Sequence, residues 1–466
     1  MSTPPQRFDA IVIGSSQSDI ELAGALASAG KRTAFIEQQA VAGTLPGFGC
    51  SPIGAMRGRA TAADWIQRAA SYGIAAERPG IDWAAVRNRH REIAASFRAA
   101  TRERLRQLAQ LEWVEGKISF SGPHTIQVRR RQSDADRLQA ETIVIDVGSR
   151  PTVPPVDGIE DVPTLDSASI TELAYLPRHL AILGGGYVGV EAAQVFRRFG
   201  STVTLVERED RLLPHEDPDI AFELQRIFGQ SGVTTRTGFI VTYLQQLDEQ
   251  KLRVVGAQGT RGLVVLCTDI LLAAGRAPET DGLHLERAGI ETTDRGDIIV
   301  DDRLETSVPG VYAIDNVHSV APFAGGSCEA YRLLRNQLID GEDATTSGWV
   351  RSYIAFSDPQ LGRAGLSELE AKGSGLDYRL AKMPWTQVDR GVRTDRLQGF
   401  VKALVDPASG RILGAAALGG QAGDLTSLLH LAMIAELPYS TLRDAPFAHP
   451  THAAALNRLF SSWVDG

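Results

Sequence analysis

Cysteine is scarce in this chain: there are three in 466 residues, Cys50, Cys267 and Cys328, far apart in sequence. That spacing forms neither a CxxC pair nor a Cys/His metal pattern, and it argues against a structural disulfide framework. Aromatic residues are sparse at 6%, whereas glycines number 46, a balance that suits an α/β protein with many tight strand-to-helix turns better than an all-β one. Positive charge is not in excess. The formal net charge of -8 leaves no basic footprint for phosphate backbones, so no nucleic-acid partner is expected. No apolar run approaches the ~20 residues needed to cross a bilayer, and the opening Met-Ser-Thr-Pro-Pro-Gln-Arg lacks the apolar core of a secretory signal. The expectation is a cytoplasmic protein without a membrane partner.

The length implies two to four domains. One helical stretch concentrates arginine at positions 87, 89, 91, 98, 102, 104 and 106, but the interleaved Glu92 and Glu103 mark it as a solvated face. The informative pattern is a repeated βαβ unit. From Asp9 to Glu37 a short apolar strand, Ala10 to Ile13, meets Gly14 and a polar turn. A helix carrying Ile20, Leu22, Ala23, Leu26 and Ala27 follows, ends at Gly30, and leads to a second strand that finishes at Glu37. The same plan recurs from Ala181 to Glu207 around Gly184-Gly185-Gly186-Tyr187-Val188-Gly189. Gly14 and Gly184 stand at the same interval from their acidic residues.

In the second copy each glycine has a task. Gly184 makes the tight turn, Gly186 lets the backbone approach a pyrophosphate, and Gly189 lets helix and strand pack closely, with the phosphates at a helix N-terminus. Glu207 is placed to accept hydrogen bonds from an adenosine ribose, which favours NADH over NADPH, although Arg208 and Arg211 follow at once. In the first copy the second and third glycine positions hold Ser16 and Asp19. Asp19 reads either as a helix-capping residue or as a carboxylate that repels a pyrophosphate, and nucleotide binding there is expected to be weakened.

The order of these units resembles the pyridine nucleotide-disulfide oxidoreductases, the group containing dihydrolipoamide dehydrogenase, glutathione reductase and mercuric reductase. Further segments carry the likeness: Ile143-Val144-Ile145-Asp146-Val147-Gly148-Ser149-Arg150-Pro151, Ala273-Ala274-Gly275-Arg276-Ala277-Pro278, Val311-Tyr312-Ala313-Ile314-Asp315-Asn316-Val317 and Ala448-His449-Pro450-Thr451. The resemblance implies an α/β fold with two Rossmann-like dinucleotide-binding domains and a C-terminal α+β dimerisation domain. It assigns residues 1–155 and 277–345 to FAD, 156–276 to NAD(P) and 346–466 to a homodimer interface. Within the last segment, Val401–Val405 and Ile412–Ala417 flank Asp406-Pro407-Ala408-Ser409-Gly410 and read as a hairpin. The cofactor positions implied are Gly14, Glu37, Gly43, Thr44, Gly148 and Asn316 for FAD, and Gly184, Gly186, Tyr187, Gly189, Glu191, Glu207, Gly275 and Arg276 around the nicotinamide side. Tyr187 matches the residue that gates the flavin, or else is a packing tyrosine. Cys50 and His449 are the catalytic candidates.

The likeness breaks at the redox centre. The family passes electrons from flavin to a CxxxxC pair, and here Cys50 matches the second cysteine while the first is Leu45. The family's lysine near the flavin matches Gly54, although its glutamate partner is retained as Glu191, a position often merely solvated. The aspartate that holds the ribityl chain matches Asn316. His449 matches the general acid/base, but the glutamate expected to orient it is Ala454, and His452 has no implied role. Mercuric ion reduction is not expected, because the C-terminus has no cysteine pair. Three readings follow. The first is an FAD enzyme that takes hydride from NADH and passes electrons directly to a small-molecule acceptor, since the flavin carries the chemistry. A variant uses Cys50 as a lone redox thiol. The third is a catalytically silent, NAD-binding homodimer or partner subunit.

Overall fold

The computed structural model describes residues 4–38, 52–77, 80–130, 136–318 and 326–464. Alternating apolar strands and helices with one apolar stripe give parallel sheets buried on both faces. The first sheet is built from β1 (Gln6–Ile13), β2 (Thr33–Glu37), β3 (Leu111–Glu115), β4 (Lys117–Gly122), β5 (Thr125–Arg129) and β6 (Asp136–Ile145) in the order β3-β2-β1-β6-β5-β4. The strand Val311–Ala313 adds in parallel to β6. Strands β3, β2, β1 and β6 run parallel, β5 runs antiparallel to β6, and β4 runs antiparallel to β5. Helix α1 (Gln17–Ser28) connects β1 to β2 and buries Ile20, Leu22, Ala23, Leu26 and Ala27, the apolar stripe expected from the sequence.

Helices α2 (Arg57–Gln67) and α3 (Trp83–Arg106) lie between β2 and β3. The arginines of α3 form exposed pairs, Arg89 with Glu92 and Arg91 with Glu172, so the solvated face holds. Trp83, at its start, packs on Phe196 and Phe199 of the second nucleotide unit.

That second unit is a five-stranded parallel sheet centred on the strands His179–Leu183 and Thr202–Val206. A helix, Tyr187–Phe199, joins these two strands, and Gly200 ends it with a left-handed C-cap. A three-stranded antiparallel sheet covers residues 239–267. The C-terminal sheet has five antiparallel strands within residues 352–419, including Phe400–Val405 paired with Ile412–Gly419. The hairpin expected there is present. Every residue of Phe400–Val405 is buried, because the helix Ala422–Ile434 packs on the face of Val401, Ala403 and Val405 while Phe400 and Lys402 meet the second nucleotide unit. Among the described residues no helix is long and apolar enough to cross a membrane.

Candidate functional site

The two fingerprint turns sit at the C-terminal ends of their first strands, where parallel α/β sheets hold ligands. In the second, Gly184 adopts φ +119 and a Cβ there would stand 2.2 Å from the Ala273 carbonyl oxygen. A Cβ on Gly189 would stand 1.9 Å from the Gly184 carbonyl oxygen. Around Gly186 the space is open. One glycine turns the chain, one permits helix contact, and the middle one faces free volume, which is the division of labour a pyrophosphate cradle needs. Glu207 is buried, and its carboxylate accepts from the Gly185 N–H at 2.6 Å and the Glu209 N–H at 2.9 Å. The turn and the acidic residue are thus one hydrogen-bonded unit. Arg208 pairs with Glu209 and Arg211 with Asp210, which occupies the two cations that follow.

Tyr187 begins the helix, and its hydroxyl bonds Glu216 Oε1 at 3.1 Å. Its ring meets Tyr353 edge to face, and Tyr353 also bonds Glu216. Glu216 is fully buried and accepts from Arg363 Nε at 2.8 Å. Asp217 joins the same cation and Lys402. Burial alone would raise the Asp217 carboxyl, but Arg363 and Lys402 hold it down to about 2. This network ties the second nucleotide unit to the C-terminal sheet. It was not read from the sequence; Asp217 occupies a helix N-cap, but it spends its carboxylate on Arg363, Lys402 and the Leu369 N–H.

Glu191, implied as a cofactor position, is not the merely solvated glutamate that a helix often carries. It is buried, and its Oε1 accepts from the Phe356 N–H at 3.1 Å. Gly54 leaves open space, and the positive charge beside Glu191 comes instead from Arg57, one turn further on. The Arg57 guanidinium lies 4.1 Å from the Phe356 ring centroid; desolvation lowers its pKa while Glu191 and Asp358 oppose that shift. A displaced cation of this kind breaks motif spacing and so escapes sequence matching.

The first fingerprint is built differently. Ser16 is the N-cap of α1, and Asp19 completes a capping box: Ser16 N–H donates to Asp19 Oδ2 at 2.8 Å and Asp19 N–H donates to Ser16 Oγ at 3.2 Å. The capping reading of Asp19 is therefore realised, with Ser16 as the cap and Asp19 as its partner. The carboxyl is also fully buried and presses on Gly14, where a Cβ would stand 2.2 Å from Asp19 Oδ2. Two further carboxyls join it. Asp146 follows β6, and Asp315 follows the strand Val311–Ala313 with φ +63. Among the described residues no other group donates to the buried Asp19 Oδ1 and Asp146 Oδ2, and the two carboxyls hydrogen-bond each other. Burial, only partly offset by Ser16, pushes Asp19 up to about 7. Burial and repulsion from Asp146 push Asp315 up to about 8, and burial with Asp19 raises Asp146 well above the usual range. Carboxyls this close hold protons in common.

The remaining positions are distributed. Gly148 and Gly275 have positive φ, and neither has a close neighbour in its Cβ direction. Arg276 donates to Ser149 Oγ at 2.7 Å and faces Asp315. Glu37 ends β2. Gly43, Thr44, Leu45 and Cys50 lie outside the described residues, as do the side chains of Asn316 and Cys328. Cys267 is buried in the three-stranded sheet, and desolvation pushes its thiol up to about 12, so it is an inert core residue. His449 corrects one expectation. Ala454 supplies no carboxylate, but Asp389 Oδ2 stands 3.6 Å from His449 Nδ1. His452 stacks on Trp385 at 5.8 Å and packs rather than reacts.

Comparison with known proteins gives one consistent result. The family model for pyridine nucleotide-disulphide oxidoreductase matches residues 8–327, and the model for the dimerisation domain of the same family matches residues 352–460. The chain is 32% identical over 457 residues to "Probable pyridine nucleotide-disulfide oxidoreductase RclA" of Escherichia coli K12, covering 98% of this chain and 99% of that one. It is 30% identical over 454 residues to a mercuric reductase of Streptomyces lividans, covering 96% and 94%. Among solved structures it resembles a Cu(II) complex of the HOCl-induced flavoprotein disulfide reductase RclA from Escherichia coli, with TM-score 0.87 and 31% identity over 98% of this chain and 99% of that one.

Proposed function

We propose, since this chain belongs to the pyridine nucleotide-disulphide oxidoreductase family, that it is an FAD-dependent NADH oxidoreductase that delivers electrons to a small acceptor without a dithiol. The family is FAD-dependent and uses a pyridine nucleotide, and the relatives are oxidoreductases. The observation that carries the reading is the second fingerprint: an open Gly186, a closed Gly189 contact and Glu207 held at the turn. Glu207 would take the adenosine ribose hydroxyls, which favours NADH. Residues 156–276 would hold NADH, residues 1–155 and 277–345 FAD, and residues 346–466 the homodimer contact.

The first site fits FAD on chemical grounds when its cluster is protonated, because a protonated carboxyl donates through O–H whereas an ionised one only accepts. A proton shared between Asp19 and Asp146 then lessens the negative charge that a pyrophosphate would meet at this helix N-terminus. When bound, FAD would supply two-electron acceptance from NADH and release to an external acceptor. Arg57 and Glu191 would supply the charge pair beside the nicotinamide-facing side, and Tyr187 would close it, anchored through Glu216. His449, oriented by Asp389, would move a proton at its ring nitrogen.

The cysteines stand at 50, 267 and 328, so no CxxxxC spacing occurs, and Cys50 has no electron-transfer duty in this reading. NADH-dependent dye reduction by Cys50→Ser should match wild type within about twofold. A loss of tenfold or more would move the function to the lone-thiol reading. The acidic cluster also favours a silent NAD-binding subunit; that reading requires protein which takes up no FAD and leaves NADH unoxidised in the same assay.

A further inference from the structure

The acidic cluster combines three elements. Asp19 comes from the first turn of α1, Asp146 from the end of β6 and Asp315 from the turn after Val311–Ala313. Two of these carboxyls, Asp19 and Asp146, are at most 4% exposed and hydrogen-bond each other. They stand at the N-terminus of α1 and beside Gly14, the end at which a fingerprint helix receives a dinucleotide's phosphates. A pyrophosphate carries negative charge, so ionised carboxyls beside it raise its free energy in a site shielded from water.

Resting on the reading above, we propose that the first nucleotide site accepts FAD only with protons held on the Asp19–Asp146–Asp315 cluster, so that binding takes up protons and weakens as pH rises. Among the described residues the groups facing the cluster are few. The Ser16 N–H donates to Asp19, the Ser16 side chain and the Gly148 N–H bond Asp146, and Arg276 faces Asp315. On the helix Gly326–Arg335, packed against α1, Glu329 has His430 and Arg332 as its charged neighbours. His318 has Asp297 as its charged neighbour, and burial pushes it down to about 4. Arg276 thus faces Asp315, while the charged neighbours of Asp19 and Asp146 are the other carboxyls of the cluster. Burial pushes Asp19 up to about 7, and burial with Asp146 pushes Asp315 up to about 8. The direction of the linkage follows: each proton taken up makes the affinity fall about tenfold per pH unit above that range.

The experiment measures FAD affinity of flavin-free protein by fluorescence quenching from about pH 5.5 to about pH 9, for wild type and Asp146→Asn/Asp315→Asn, with NADH binding as the control for folding. Calorimetry of FAD binding to wild type at about pH 8.5, in two buffers of different ionisation enthalpy, counts the protons directly, without a variant. The expected result is affinity falling at least tenfold across the range in wild type, a flatter profile in the variant and net proton uptake. Affinity independent of pH, or binding with no proton uptake, overturns the inference and leaves the FAD oxidoreductase reading standing. Failure of wild type to bind FAD at any pH overturns both.

Discussion

At positions 19, 146 and 315 the folded chain holds protons that the unfolded chain releases above the ordinary carboxylate range. A carboxyl whose pKa is raised on folding contributes stability that is fully present below its unfolded value and lost as pH rises through the folded value. For Asp19 and Asp315 that window runs from near pH 4 to about 7 and about 8. Asp146→Asn should therefore stabilise the flavin-free protein at about pH 8.5 by on the order of 1–3 kcal/mol and change it little at about pH 4. Thermal melts at both pH values check this, and an equal shift at both would contradict the raised carboxyl. Only part of the cluster was legible in the sequence. Asp19 was visible because it broke a motif of fixed spacing. Asp146 and Asp315 sit in separate segments, and nothing in a linear reading says that β1, β6 and Val311–Ala313 end side by side. His449 has the same history: its carboxylate partner, Asp389, lies far away in sequence.

Among the elements, the βαβ units were the most legible, because a strand of 5 residues, a glycine turn and an apolar stripe are all local signals. Boundaries moved by a few residues; β1 begins at Gln6 rather than Ala10. What local signals could not give was the use of each turn. The two turns share a plan, yet one leaves its middle position open and the other spends its helix start on a capping box. The second turn allows a paired test. Gly186→Ala meets no neighbour and should leave the melting temperature nearly unchanged while weakening NADH binding at least tenfold. Gly189→Ala would drive a Cβ to within 1.9 Å of the Gly184 carbonyl oxygen and should cost about 1–3 kcal/mol of stability. Equal effects of both on stability, followed by melting and NADH titration, would show that the turn is structural only.

Across the whole molecule, the buried Glu216, Asp217, Arg363 and Lys402 join the second nucleotide unit to the C-terminal sheet. Tyr187 is bonded to the same Glu216, so the residue nearest the proposed nicotinamide position is braced by the domain that belongs to dimerisation in this family. Breaking one partner of such a network is expensive, because it strands the other charge out of water. The family architecture is thus kept in a chain with Leu45 where the resemblance implies a cysteine. The most direct measurement is an anaerobic titration of FAD-loaded protein with NADH at about pH 6, where the cluster keeps its protons, followed by flavin absorbance. One NADH per bound FAD should remove the oxidised flavin band completely, because no disulfide takes a second electron pair. A requirement for two equivalents per flavin, the capacity of flavin and a redox disulfide together, would contradict it.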